Sequence, residues 1–154
     1  ADSCHLYYRP EGHAERVAIA HVDPDLRARL YDANERWPLD LDAALPAGSD
    51  GQPYGTRLIE VVTPEMGAIL AQADPEHQAL IEAHGVTSAI LVPLQARGAP
   101  IGLVVFNYTT VSRRRYRPDD VALAEALAHR FTEAVDTARL RAAARPPRAA
   151  SPRR

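Results

Sequence analysis

Residues 85–140 read GVTSAILVPLQARGAPIGLVVFNYTTVSRRRYRPDDVALAEALAHRFTEAVDTARL, which sets two apolar strands, an arginine-rich loop and one long helix in direct succession. Residues 87–96 and 101–109 are apolar or β-branched runs of strand length. The short, turn-prone Arg97-Gly98-Ala99-Pro100 between them predicts an antiparallel hairpin. A helix start follows at Pro118-Asp119-Asp120. The proline gives up an amide that would be unpaired in a first turn, and the two carboxylates face the positive end of the helix dipole. The helix is expected to run over residues 121–143.

Working toward the N-terminus, residues 58–62 read as a short strand. Thr63-Pro64-Glu65 and Asp74-Pro75-Glu76 each read as a cap, a first-turn proline and an acidic residue, predicting two short helices end to end before a stop at Gly85. Residues 39–56 hold Pro46, Gly48, Gly51, Pro53 and Gly55, a loop composition with little room for regular structure. Loops of that length are often binding lids or flexible segments. Asp23-Pro24-Asp25 starts a helix through about Arg36, with Leu26, Leu30 and Ala33 on one face and Pro38 as its stop. Residues 3–9 and 16–22 are β-like and flank the polar turn 10–15, a second hairpin. The order is strand, strand, helix, loop, strand, two helices, strand, strand, long helix. It predicts an α+β fold, a central antiparallel sheet with helices on both faces.

With 154 residues the chain suits one domain with a single core, and 46% hydrophobic and 25% charged residues are those of an ordinary globular protein. No apolar run reaches the roughly eighteen residues of a membrane span, and no signal-peptide pattern opens the chain, so a cytoplasmic home is expected. A net charge of -2 gives no global field toward nucleic acid or acidic membrane. All 18 basic residues are arginine. The single cysteine, Cys4, supplies neither an internal disulfide nor a thiolate metal cage.

The strand pair, the Pro-Asp-Asp helix start and the long final helix resemble the C-terminal half of a GAF domain, a small sensory module, and the remaining elements follow the same order over nearly the whole chain. Two departures stand out. GAF domains normally have a leading helix beside the terminal one, whereas this chain opens in the first strand, as a piece cut from a larger protein would. The helix that usually crosses before the third strand is replaced by the Gly/Pro-rich residues 46–55. Residues 1–145 are then read as one GAF-like domain and 146–154 as a basic Pro/Ala/Arg tail or linker.

Along residues 101–108 the strand alternation puts Leu103, Val105 and Asn107 on one face and Gly102, Val104, Phe106 and Tyr108 on the other. Gly102 implies close approach of a helix on its face, which leaves Asn107 as the polar group on the pocket side. With Tyr31, Trp37, Tyr54, Met66, Leu70 and His77 from the covering elements, this gives a mostly apolar cavity with a few polar handles. A filled core without a ligand is the competing reading.

Ser3-Cys4-His5-Leu6 is similar to the Cys-His-Leu stretch that carries bilin in phytochrome GAF domains. In those relatives the cysteine precedes the last strand pair, near the place of Glu76-His77 here, so Cys4 is expected to be a buried, inert thiol. A lone cysteine also lacks the second thiol needed by the GAF enzyme that reduces free methionine sulfoxide. His77 and His84 stand two helical turns apart, an incomplete metal set, and either of them or His21 would have to aim into an apolar pocket to hold haem. The Asn, Lys, Phe and Asp-Glu signature of nucleotide-binding GAF domains is absent as a set, as are a phosphate loop, a Gly-x-Ser-x-Gly elbow and a His-Glu-x-x-His motif. A non-catalytic domain is expected, with no metal and no required cofactor.

Two arginine clusters, 113–117 and 145–154, read as a solvated loop and a linker, with contacts to phosphates or an acidic partner as the sharper alternative. The final helix carries an apolar stripe wider than one sheet contact needs, so Leu127, Phe131 and Val135 are candidates for pairing with a second copy. The resemblance implies a sensory module of a bacterial histidine kinase or phosphatase. It would be a homodimer that binds a small molecule and signals through the terminal helix to an output domain. The alternatives are a ligand-free dimerisation or interaction module and a haem or tetrapyrrole sensor.

Overall fold

The computed structural model describes residues 1–9, 15–48, 54–96 and 98–143. Strands β1 (Ser3–Tyr8), β2 (Glu15–His21), β3 (Arg57–Ile59), β4 (Val86–Ala96) and β5 (Ala99–Thr109) form one antiparallel sheet in the spatial order β2-β1-β5-β4-β3. The first strand therefore lies beside the last, with Ser3 opposite Asn107 and Tyr8 opposite Gly102. The long β4–β5 hairpin carries most of the apolar side chains, which is why it occupies the centre and leaves the short β3 at one edge.

Period-two alternation along β5 divides the core between the two faces. Val104, Phe106 and Tyr108 cluster with Leu6, Ile90, Val92 and Leu94 beneath Ala124 and Ala128 of helix α5 (Val121–Ala143). The two alanines at i, i+4 let the helix axis come close to the sheet, and Val121, Phe131 and Val135 extend the contact on either side. A 3₁₀ turn at Pro118–Asp120 precedes the helix, and the Asp120 carboxylate accepts the Arg117 N–H, so the Pro-Asp-Asp signal works as read.

The other face is covered by α1 (Pro24–Arg36), α2 (Leu41–Ala44), α3 (Pro64–Ala71) and α4 (Pro75–His84). Asp23 caps α1 by accepting from the N–H groups of Asp25 and Leu26, and Asp74 caps α4 in the same way at Glu76 and His77. Thr63, read as a cap for α3, makes no such side-chain bond.

Three readings are corrected. The segment taken as loop from residue 39 contains α2, because Asp40 accepts from the N–H groups of Asp42 and Ala43 and so nucleates a single turn. The strand expected over 58–62 is Arg57–Ile59, after which the chain bends. The close neighbour of Gly102 is a strand and not a helix: a Cβ there would lie 2.3 Å from the Tyr7 carbonyl oxygen of β1. The turn at 10–14, the glycine and proline at 51 and 53, and the tail from 144 lie outside the described residues.

Candidate functional site

The helix-covered face of the sheet has an apolar half and a polar half. In the apolar half, Tyr7, Leu103, Leu41 and Leu45 form one buried cluster, with Tyr54, Leu39, Leu91 and Val105 packed against it. Leu41 and Leu103 are each 1% exposed, so the short α2 closes down on the middle of the sheet instead of leaving a cavity there.

The polar half lies where β1, β2 and β5 meet the end of α4. The Asn107 amide donates to Ser3 Oγ at 3.1 Å, and Ser3 Oγ lies 3.0 Å from His84 Nε2. The His84 ring stacks on His5, with centroids 5.1 Å apart and planes at 11°, and His21 stands 5.3 Å from it on the neighbouring strand. The Asp23 N–H donates to His21 Nδ1 at 2.9 Å, which places the proton of a neutral His21 ring on Nε2. That Nε2 is buried with no hydrogen-bond partner among the described residues. His84 reaches this place because Gly85 ends α4 in the left-handed region (φ 61°), with its N–H on the Ile81 carbonyl and its own carbonyl accepting from Thr110.

A second feature lies outside the sheet. Pro38 ends α1, and Trp37 caps it through an N–H to the Ala33 carbonyl. The Trp37 indole N–H donates to Asp74 at 3.1 Å, and its ring stacks on His77 with centroids 4.6 Å apart. The Arg36 guanidinium lies over the same indole and pairs with Glu76. A cavity of about 310 Å³ opens here, lined by Arg29, Asp32, Arg36, Trp37, Glu76 and Leu80. The hydrogen bond from the His77 N–H holds the Asp74 carboxyl below its ordinary value; burial opposes this, and the indole reinforces it.

Of the residues proposed from sequence, Leu103, Val105, Tyr54 and Asn107 share the covered face, whereas Trp37 and His77 pair with each other at the α1–α4 groove. Met66 is half-buried in α3. Tyr31 and Leu70 face solvent, at 54% and 56% exposure. In α1 the inward stripe is Leu26 and Leu30, which turns Tyr31 away; in α3 it is Gly67 and Ala71, which does the same to Leu70. On α5, Phe131 and Val135 pack against their own sheet, while Leu123, Leu127 and Leu140 point outward. Cys4 packs on the α5 side, away from the covered face, and burial pushes its thiol up to about 11 against the pull of the N-terminal charge. The sequence reading missed Ser3, His5 and His21 as partners of His84 and Asn107. The alternation Ser3-x-His5 was a signal for two of them, and only the register pairing Ser3 with His21 brings in the third. Among the described residues no group of three or more His, Cys, Asp or Glu is placed to hold a metal ion.

The GAF domain family matches residues 1–135. This chain belongs to that family. The GAF fold is shared with a domain of a two-component sensor histidine kinase protein from Sinorhizobium meliloti, at 17% identity and a TM-score of 0.58 over 93% of this chain and 83% of that one. It is also shared with GAF3 from Slr1393 of Synechocystis in its photoproduct state, at 18% identity and a TM-score of 0.60 over 95% and 89%. A third similar structure is the GAF domain of a phosphoenolpyruvate-protein phosphotransferase from Coxiella burnetii, at 13% identity and a TM-score of 0.55 over 93% and 76%. Such identities establish the fold alone. No curated protein matches the chain. GAF domains are in general sensory and regulatory modules, and no helix among the described residues is long and apolar enough to cross a membrane.

Proposed function

We propose that this GAF domain is a non-catalytic sensory module of a cytoplasmic signalling protein of the histidine kinase or phosphatase type. Residues 1–145 form the domain and 146–154 begin the linker to an output domain. A small molecule binds the helix-covered face of the sheet, and the signal leaves through α5. The observation that carries this reading is the polar group of buried Ser3, His5 and Asn107 with half-buried His21 and His84, in which the buried His21 Nε2 is unsatisfied among the described residues. A core built only for stability has little use for an unpaired buried N–H, whereas a small ligand that offers it an acceptor satisfies it. Coupling to α5 is short: Leu103, Val105 and Asn107 alternate along β5 with Val104, Phe106 and Tyr108, which belong to the cluster under α5.

A thermal-shift screen with nucleotides, amino acids, 2-oxo acids, hemin and bilins tests the ligand. A true ligand at about a hundredfold its Kd stabilises by about 2.7 kcal/mol. That corresponds to roughly 5–10 °C for a domain of this size. Asn107→Ala should abolish the shift. A flat screen on folded protein would transfer the assignment to a ligand-free interaction module, the reading that Leu41 and Leu45 favour by filling the apolar half. A Soret band after hemin addition, lost on changing His77 or His84, would instead support the haem or tetrapyrrole sensor.

Pairing through α5 is the second part of the proposal. Since Phe131 and Val135 serve their own core, the pairing stripe is Leu123 and Leu127, with Ala134 and Ala138 following at helical spacing. Leu123→Asp with Leu127→Asp should convert a dimer into a folded monomer by light scattering. A wild-type chain already monomeric at high micromolar concentration would remove this part.

A further inference from the structure

The loop between β5 and α5 has a shape held from below and a charge left open above. Its base is fixed by Ser112 Oγ donating to Asp2 at 2.7 Å, the Val111 N–H donating to Thr109 Oγ1 and the Arg114 N–H donating to Ser112 Oγ. Its far end is fixed by buried Tyr116, whose N–H donates to Ser88 Oγ at 2.9 Å. Between these anchors Arg113, Arg114 and Arg115 are exposed, and together with Thr87 and Thr110 they line an open cavity of about 340 Å³.

Three observations point to a ligand. First, among the described residues no carboxylate lies within ion-pairing distance of these three guanidinium groups, although the chain carries 20 acidic side chains. Asp2, the carboxylate closest to the loop's framework, is buried and accepts from Thr109 and Ser112. Second, the Arg114 guanidinium is held over the Tyr108 ring at 4.9 Å, so one cation is oriented before any anion arrives. Third, Arg113 adopts φ 56°, a left-handed conformation that costs a non-glycine residue energy and suits glycine better. An arginine in that strained position, beside two more with no acidic partner, has a reason to be there if its side chain binds something.

We infer that Arg113, Arg114 and Arg115, with the hydroxyl of Thr110, form a site for a small phosphorylated anion, on a different part of the domain from the covered face. Guanidinium forks match phosphate oxygens in pairs, and three of them around one open cavity suit a diphosphate better than a singly charged carboxylate. The Thr110 hydroxyl supplies a neutral donor for a remaining oxygen, whereas Thr87 Oγ1 donates to the Tyr108 carbonyl and braces the wall of the cavity. Because the site stands at the end of β5 and the approach to α5, occupancy would bear on the segment that enters the terminal helix.

The test is titration of the 154-residue chain with inorganic pyrophosphate, followed by calorimetry and by amide NMR shifts. Saturable binding is expected, with the largest shifts at Thr87, Thr110 and residues 113–115 and with affinity falling as NaCl rises from about 50 to about 200 mM. Arg113→Gly separates the binding role from a structural one. It relieves the left-handed strain, so the melting temperature should hold or rise while pyrophosphate affinity falls at least tenfold. Arg114→Gln and Arg115→Gln should each weaken binding by a similar factor. A nucleoside diphosphate that binds several-fold tighter than pyrophosphate would identify an organic phosphate as the ligand, and equal affinity would identify the bare anion. Absence of saturable binding, or affinity retained in the triple variant Arg113→Gly, Arg114→Gln, Arg115→Gln, would overturn the assignment.

Discussion

Gly102→Ala should lower the melting temperature by at least about 10 °C or leave the chain unable to fold, a larger loss than a single methyl group causes elsewhere in this sheet. The added Cβ would stand 2.3 Å from the Tyr7 carbonyl oxygen and 3.3 Å from Leu94 Cδ1. Leu94 can swing aside, but the carbonyl belongs to the β1 backbone, near the end of its pairing with β5. Relief therefore requires the two central strands to part, which weakens ladder bonds and loosens Val104 and Leu6 beneath α5. Overpacking of this kind costs about 1–3 kcal/mol where side chains can yield, and more where backbone must. Gly98→Ala is the internal control for generic glycine effects: nothing lies within 4 Å of its Cβ position, and its φ of 79° makes it a test of left-handed strain alone. A melting curve for Gly102→Ala within about 2 °C of wild type, or a smaller loss than Gly98→Ala shows, would refute this account of the β1–β5 seam.

The same glycine shows where the sequence could be read and where it could not. Its role as a point of close approach was legible, because glycine inside an apolar strand weakens that strand unless something needs the space. What approaches was not legible, since β1 and β5 lie about a hundred residues apart and only the sheet order puts them side by side. Local signals fared well throughout: Asp23-Pro24, Asp74-Pro75, Gly85 and Pro118-Asp119-Asp120 each mark a helix end that the structure has. The four-residue α2 was hidden by the prolines and glycines that follow it, although Asp40 before Leu41-Asp42-Ala43-Ala44 is a cap signal of the same kind. That small miss had a large consequence for the candidate site. Leu41 and Leu45 occupy the ground assigned to an apolar cavity, and Trp37 and His77 stand with α1 and α4 instead of over Leu103. Alternation along β5 identified Asn107 as the polar group of the covered face. The histidines that gather around it come from three elements and needed register, not pattern, to meet.

Asp2→Ala should cost about 3 kcal/mol at pH 7, and the gap between variant and wild type should close as the solution is acidified. Burial disfavours the charge of Asp2, yet hydrogen bonds from Ser112 Oγ, the Thr109 N–H and Thr109 Oγ1 outweigh it and hold the carboxyl below its ordinary value. A folded-state value below the unfolded one means that this contribution is complete above the unfolded value, near pH 4, and is lost as the pH falls through the native one. Removing the carboxylate leaves the Thr109 N–H buried without its acceptor and cuts Ser112 from the base of the arginine loop. Asp23, Asp74 and Glu65 are also held below their ordinary values and add acid sensitivity of the same sign, so wild-type stability as a whole should decline below about pH 4. The variant should decline less steeply, because one of the groups responsible is gone. Thermal melts of both proteins at intervals from about pH 7 to about pH 3 decide the matter. Curves that stay parallel across that range would mean that Asp2 acts by packing alone. Converging curves, together with weakened pyrophosphate binding in the variant at pH 7, would show that one buried carboxylate fastens the first strand and shapes the loop that leads into α5.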